Sequence, residues 1–307
     1  MALRNRFIDN SGYSNNTSAE ANRLANKDGS YNVHKAGIPF LERYSTIHVL
    51  LKMKRWKFNT LLLSYYLMLN TFFACIYYVV GMNHFGGIEP GHEFMQAFFF
   101  SAQTITTVGY GHIYPTANIT NVIAAIESFT GILTFAVITG LVYGRFSQPR
   151  AYLKFSYHAL VAPYKEGKAI MLRFGSYKNN NLTEATAQII CSLHMEENGQ
   201  MVTRFFNLPL EISKINILAT SWTLVHPITE ESPLWGLTEE DFKERKFEMV
   251  VHIQGIDDQL FHVVQQKTSY VASELVFNAK FKPMLSRSTD GSKSVVDYEL
   301  IDAYDLV

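Results

Sequence analysis

From Phe58 to Gly144 the chain carries three ionised side chains, Glu89, Glu93 and Glu127, and no Lys or Arg. Over the whole sequence 27 basic residues balance 27 acidic ones, so the charge missing here is concentrated elsewhere. Two apolar runs fill much of this stretch, Leu61–Gly81 and Asn121–Gly144. A helix needs roughly 20 apolar residues to cross the hydrocarbon core of a bilayer, and both runs are that long. Neither shows the polar stripe of a helix in a soluble core. The sequence therefore predicts two membrane spans, at about 58–81 and 120–146. Lys52, Lys54, Arg55 and Lys57 precede the first, and Arg145, Arg150 and Lys154 follow the second. Cationic flanks stay cytoplasmic. Both termini are thus expected in the cytoplasm of a multi-pass protein of the plasma (inner) membrane, with the intervening segment outside or dipping back into the bilayer.

The rest of the chain divides around this block. Residues 1–35 are polar, rich in Asn and Ser, and lack the apolar run of a signal peptide. They are expected to form a flexible cytoplasmic tail. In residues 36–56, Phe40, Tyr44, Ile47 and Leu51 recur at helical spacing before a basic end. That pattern predicts an amphipathic helix lying in the lipid interface. The membrane block then spans 57–149. From Arg150 onward short β-like runs such as Ala169–Phe174 and Phe247–Gln254 alternate with turn signals, among them Asp290–Gly291. Such spacing predicts an antiparallel β-sandwich over 150–307.

Balanced charge argues against a nucleic-acid partner, whose binding draws on a basic excess. Cys75 and Cys191 are too few for a disulfide framework or a zinc site. His226, His252 and His262 show no metal-ligand spacing. No nucleophile–base pair or phosphate loop points to an enzyme, and no cofactor is expected.

The chemistry is concentrated between the spans. Residues 93–104 can form a helix too short to cross the membrane, followed at once by Thr107, Val108, Gly109, Tyr110 and Gly111. A potassium ion leaving water needs oxygens to replace its hydration shell, and a row of backbone carbonyls can supply them. Gly109 and Gly111 provide the permissive backbone positions, Thr107 adds a hydroxyl, and Val108 and Tyr110 turn away to brace the loop. Irregular backbone is tolerated at membrane depth only where it lines a cavity. The short helix ends at this loop, so its negative dipole end favours a cation. One chain supplies one filter strand, so a closed ring of carbonyls calls for a homotetramer.

With Thr-Thr-Val-Gly-Tyr-Gly between two spans, the chain resembles potassium channels, and among them the inward rectifiers. Three cytoplasmic stretches carry that likeness: Ser221–Gly236 (SWTLVHPITEESPLWG), Met171–Gly175 with Leu182–Ala185, and Thr268–Leu275. The resemblance covers about residues 31–285. It implies an immunoglobulin-like cytoplasmic sandwich that continues the pore. Eukaryotic members carry a pair of cysteines around the pore loop; their absence here resembles the prokaryotic, KirBac-type branch.

The resemblance also implies site residues. Gly131, Phe135, Thr139 and Tyr143 fall on the face of the second span that lines the inner pore. Gly131 is a place to bend, and Phe135 or Tyr143 could form a hydrophobic gate. Phe135 stands where strong rectifiers have an acid, so strong block is not expected. Glu274 matches an acidic position of the cytoplasmic pore, where polyamine or Mg2+ could block weakly. Glu127, the one acid inside a span, is expected behind or below the filter. Gln103 stands where many relatives have Glu, and His112 where many have Phe or Tyr followed by Arg, so the ion pair that braces those filters cannot form here in the same way. Lys54, Arg55, Trp56, Lys57, Arg145, Arg150 and Lys154 form a belt that snorkels to headgroups or recognises anionic lipid, phosphoinositide included. A channel gated by a soluble ligand is the alternative, but no glycine-rich nucleotide fingerprint follows residue 150.

Overall fold

The computed structural model describes residues 23–34, 36–39, 45–178, 180–197, 199–288 and 291–307. They form two units, residues 36–148 and residues 149–307 joined by the N-terminal segment. Of the predicted interfacial helix, Phe40 and Tyr44 lie outside the described residues.

The first unit is helical. Helix α1 is Thr46–Lys52, α2 is Arg55–Val80, α3 is Glu93–Ile105 and α4 is Asn118–Phe146. At 1.5 Å per residue α2 runs about 39 Å and α4 about 44 Å, enough to cross a hydrocarbon core of about 30 Å; α3, at about 20 Å, is not. Helix α2 begins at Arg55, about one turn before the expected start of the span at 58, because long cationic side chains can lie along the helix with their charges in the interface. Strand β1 (Phe85–Gly86) pairs antiparallel with β2 (Tyr114–Pro115). The pairing closes the segment that contains α3. Beneath it Tyr77, Phe85 and Phe100 meet edge-to-face, with ring centroids 5.2 to 5.3 Å apart. This triangle fixes α3 against α2. Much of α2 and α4 is left bare within one chain, for example Val79, Phe129 and Leu133. Apolar surface on that scale belongs in lipid or against further copies.

The second unit is an all-β sandwich. One five-stranded sheet has β6 (Leu182–Glu197) beside β10 (Glu248–Asp257) and β7 (Gln200–Leu208), with β11 (Val263–Val271) beyond β10 and β8 (Lys214–Leu218) also on β6. The other orders β12 (Leu275–Phe277), β4 (Ala159–Tyr164), β5 (Gly167–Ser176) and β3 (Leu153–Phe155), with β9 (Ser221–Ile228) also on β5. All pairs are antiparallel except β12 with β4. Along β10, Met249, Val251 and Ile253 are buried while Val250, His252 and Gln254 are not. That period of two turns one face into the core. Cys191 is one of these core residues, and burial pushes its thiol well above the ordinary range.

The C-terminal residues complete this unit. Strand β13 (Ala279–Phe281) pairs with β16 (Tyr304–Leu306), and β14 (Leu285–Arg287) with β15 (Ser294–Val296). Arg173, buried in β5, donates to the carbonyls of Lys282 (2.5 Å), Leu300, Ile301 (2.6 Å) and Ala303 (3.2 Å) and lies 4.4 Å from the Phe281 ring. A buried guanidinium is tolerable because this cage satisfies its donors.

Within the expected flexible tail, residues 23–34 are docked, and the rest of the tail lies outside the described residues. Residues 23–34 lie along the edge strand β11. Arg23 forms a bidentate pair with Glu274 (3.0 and 3.1 Å) and donates to the Ser269 carbonyl (2.8 Å). The amides of Leu24 and Ala25 donate to the Glu248 carboxylate (2.7 and 2.9 Å). Lys27 Nζ donates to Glu274 (3.1 Å) and to the Tyr157 carbonyl (2.7 Å), and sits 3.6 Å from the Tyr270 ring centroid. The physical reason is the edge itself: β11 and two buried acids leave acceptors that a polar segment can satisfy. Composition alone misses this, because the segment docks by hydrogen bonds rather than by apolar burial.

Lys27 provides a test. Burial outweighs the attraction of Glu274 and brings its pKa down to about 8 from the ordinary 10.5. Between those values the docked segment has released a proton that the undocked one keeps. The undocked state binds more protons there, so docking strengthens as pH rises through that window. Proteolysis within residues 23–34 should be slower at pH 9 than at pH 7, and Lys27→Met should flatten the dependence.

Candidate functional site

Helix α3 positions the loop that follows it. The Thr107 amide bonds the Thr104 carbonyl (3.0 Å), and the amides of Val108 and Gly109 bond the Gln103 carbonyl (2.9 and 3.3 Å). Thr106 Oγ1 donates to the Ala102 carbonyl (2.6 Å). The start of the loop is thereby folded back onto the last turn of α3, which would otherwise end in unpaired carbonyls. Among the described residues nothing donates to the carbonyls of residues 107–111.

Thr107, Gly109 and Gly111 have φ of +59°, +53° and +79°. Left-handed backbone at every second residue turns successive peptide groups to one side, unlike the alternation of a β-strand. For the two glycines this is cheap. For β-branched Thr107 it costs on the order of 1–3 kcal/mol. The sequence offers permissive positions only at the glycines; the third was not readable, since residue type argues against it. Val108 and Tyr110 are exposed within one chain, on a strand with no partner of its own.

Helix α4 meets the end of α3 at two places. Glu127, with no exposed surface, accepts from Ser101 Oγ (2.5 Å) and from the Tyr77 hydroxyl (2.5 Å). One turn on, Gly131 is buried against Ile105, and a Cβ there would collide with the Ile105 carbonyl. This corrects the reading of Gly131 as a pore-lining bend: α4 is continuous from Asn118 to Phe146, and the glycine is a close-approach position. Phe135, Thr139 and Tyr143 are exposed along α4. Phe135 also lines a cavity of about 420 Å³ that reaches Thr106 and Thr107, with Tyr65, Leu69 and Ile138.

The cationic belt is not uniform. Arg145 donates to the carbonyls of Leu50 (2.5 Å), Leu51 (3.3 Å) and Met53 (2.7 Å), and lies 4.4 Å from the Phe58 ring. Its guanidinium caps the end of α1, which removes it from the set of free lipid-facing cations. Lys54, Arg55, Trp56, Lys57 and Arg150 are exposed. Lys154 is exposed and reaches the Tyr298 carbonyl at 3.2 Å.

Glu274 is also corrected. It is buried beneath Arg23 and Lys27, not left as a free charge. Burial acts to raise its pKa, but the hydrogen bond from Arg23 and the charge of Lys27 prevail and hold it below the ordinary value. His226 is a core residue: Nδ1 bonds the Pro209 carbonyl (2.7 Å) and Nε2 bonds Ser232 Oγ (2.8 Å), and burial lowers its pKa. Among the described residues no cluster of His, Cys, Asp or Glu could hold a metal ion. The oxygens suited to a cation are the backbone carbonyls of the loop.

Comparison with known proteins follows the same division. Residues 58–148 match the family described as ion channel, and residues 153–307 match the inward rectifier potassium channel C-terminal domain. The inward rectifier potassium channel Kirbac3.1 of Paramagnetospirillum magnetotacticum is 30% identical over 278 residues, covering 89% of this chain and 92% of the relative. The G protein-activated inward rectifier potassium channel 2 of Mus musculus is 28% identical over 301 residues, covering 88% and 69%. The corresponding channel 4 of Bos taurus is 27% identical, covering 86% and 68%.

Gly131→Ala separates packing from flexibility. Alanine favours an isolated helix by about 0.5–1 kcal/mol. Overpacking costs about 1–3 kcal/mol, and a backbone carbonyl cannot rotate away. The substitution should lower the thermal midpoint, whereas Gly140→Ala, with nothing within 4 Å in the chain, should not.

Proposed function

The chain belongs to the inward rectifier potassium channel family, and on that premise we propose that four copies assemble around a common axis and conduct K+ through the ring of carbonyls contributed by residues 107–111. The supporting observation is left-handed backbone at Thr107, Gly109 and Gly111 with five carbonyls that no donor among the described residues occupies. An ion entering that ring exchanges water oxygens for carbonyl oxygens at several successive positions. Binding is then strong enough to admit it and divided enough to release it. The C-terminal end of α3 adds a favourable dipole. Conduction is passive, and no step requires covalent chemistry.

Four copies of α4 bring four Phe135, four Thr139 and four Tyr143 side chains toward the axis below the filter. A ring of Phe135 or Tyr143 closes the path by excluding water. The exposed cations Lys54, Arg55, Lys57 and Arg150, with Trp56 among them, take anionic headgroups. Arg145 instead passes any shift of α1 to α4, since it bonds three carbonyls at the end of α1. Phe135 offers no charge to polyamine or Mg2+, and Glu274 is neutralised by its own chain. Rectification is therefore weak. The chain sits in the plasma (inner) membrane with both ends in the cytoplasm.

In liposomes the purified chain should take up rubidium and potassium far faster than sodium, and anionic lipid should change the rate. Gly109→Asp should abolish uptake without dissociating the tetramer. Phe135→Ala should raise uptake. Spermine on the cytoplasmic side should block weakly, and Phe135→Asp should strengthen that block.

A further inference from the structure

We propose that Glu127 is a positioning residue for the filter, clamping α3 to α4 so that the filter strand keeps its ion-selective shape. The proposal rests on the reading of residues 107–111 as a potassium filter. Glu127 is fully buried at membrane depth, and no Lys or Arg side chain among the described residues bonds it. Such a group is costly unless its oxygens are satisfied. Each oxygen here has one hydroxyl donor, Ser101 on α3 and Tyr77 on α2, both at 2.5 Å. Asn70 Oδ1 lies 3.3 Å from Ser101 Oγ, and Asn70 Nδ2 is itself tied to the Tyr66 carbonyl at 2.7 Å. The acid thus joins all three long elements of the unit.

The spacing turns this join into a clamp. Glu127 and Gly131 are four residues apart on α4, and their contacts Ser101 and Ile105 are four apart on α3. Residues at that separation share a helix face, so the two helices are pinned at two points one turn apart. Gln103, whose carbonyl holds the amides of Val108 and Gly109, lies between those points. A turn of α3 about its axis would move that carbonyl and the first filter residues with it. By resemblance Gln103 stands where many relatives have Glu, and His112 where many have Phe or Tyr followed by Arg, so the ion pair that braces those filters cannot form here in the same way. The stabilising acid is on the inner helix instead. Motion of α4 at Phe135 is therefore felt at the filter through Gly131 and Glu127.

The test compares Ser101→Ala, Tyr77→Phe, Glu127→Leu and Glu127→Gln with the unaltered full-length chain. Two readouts apply: the K+ over Na+ uptake ratio in liposomes, and the difference in tetramer thermal midpoint between KCl and NaCl, which reports ion binding without flux. Ser101→Ala and Glu127→Leu should lower the K+ preference by about tenfold, the scale of one hydrogen bond to a charged group. Glu127→Gln should recover most of it, because an amide can accept from Tyr77 and donate to Ser101. If Glu127→Leu does not assemble, the two hydroxyl deletions decide. Tetrameric variants that keep the parent's ion preference, with only the amount of flux changed, would overturn the proposal. A parent chain that prefers K+ in neither readout would instead remove the filter reading beneath it.

Discussion

A backbone carbonyl at membrane depth must be bonded to a donor or face something that replaces one. Among the described residues nothing donates to the five carbonyls of the loop from Thr107 to Gly111, and most of the pore unit can be understood as making that arrangement tolerable. Helix α3 takes up the loop's first amides. The β1–β2 pairing closes the segment, and the Tyr77–Phe85–Phe100 triangle fixes α3 against the outer helix. Thr107 accepts a backbone conformation unfavourable to its residue type, which persists only where the surroundings over-determine it. In the proposed tetramer a desolvated cation would take the donors' place.

The same accounting runs through the β unit. Arg173 is buried but caged by carbonyls, and Glu248 is buried but capped by two amides. Burial raises the pKa of Glu248, and the capping amides offset part of that rise. These polar contacts fasten two segments to the sandwich: residues 23–27 at one edge, and residues 281–282 and 300–303 at another. Apolar burial at these attachments is confined to scattered residues, Ala25, Ala279, Met284 and Ile301, which is why neither leaves a periodic hydrophobic pattern to read.

Much of the architecture was legible in the sequence because hydrophobic length and period-two alternation are strong signals. The spans, the short helix and the sandwich follow from runs such as Leu61–Gly81 and Met249–Ile253. The filter was legible from Thr107–Gly111 as a motif, but the left-handed Thr107 was not, because residue type opposes it. Gly131 carried an ambiguous signal, since a glycine in a helix serves either bending or close approach; the Ile105 carbonyl decides for the second. Arg145 and Glu274 are read from their charge and from resemblance to the family. Charge does not reveal that Arg145 is spent on carbonyls or that Glu274 lies under Arg23 and Lys27. Those partners are separated in sequence by about 90 and 250 positions, and no local pattern links them.

The central claim is that these carbonyls select potassium, and the reversal potential under opposed K+ and Na+ gradients measures that directly. With the purified chain in a planar bilayer, the account predicts a current reversing close to the K+ equilibrium potential, and loss of that current in Gly109→Asp. A current reversing near zero, or one that survives Gly109→Asp unchanged, would contradict it.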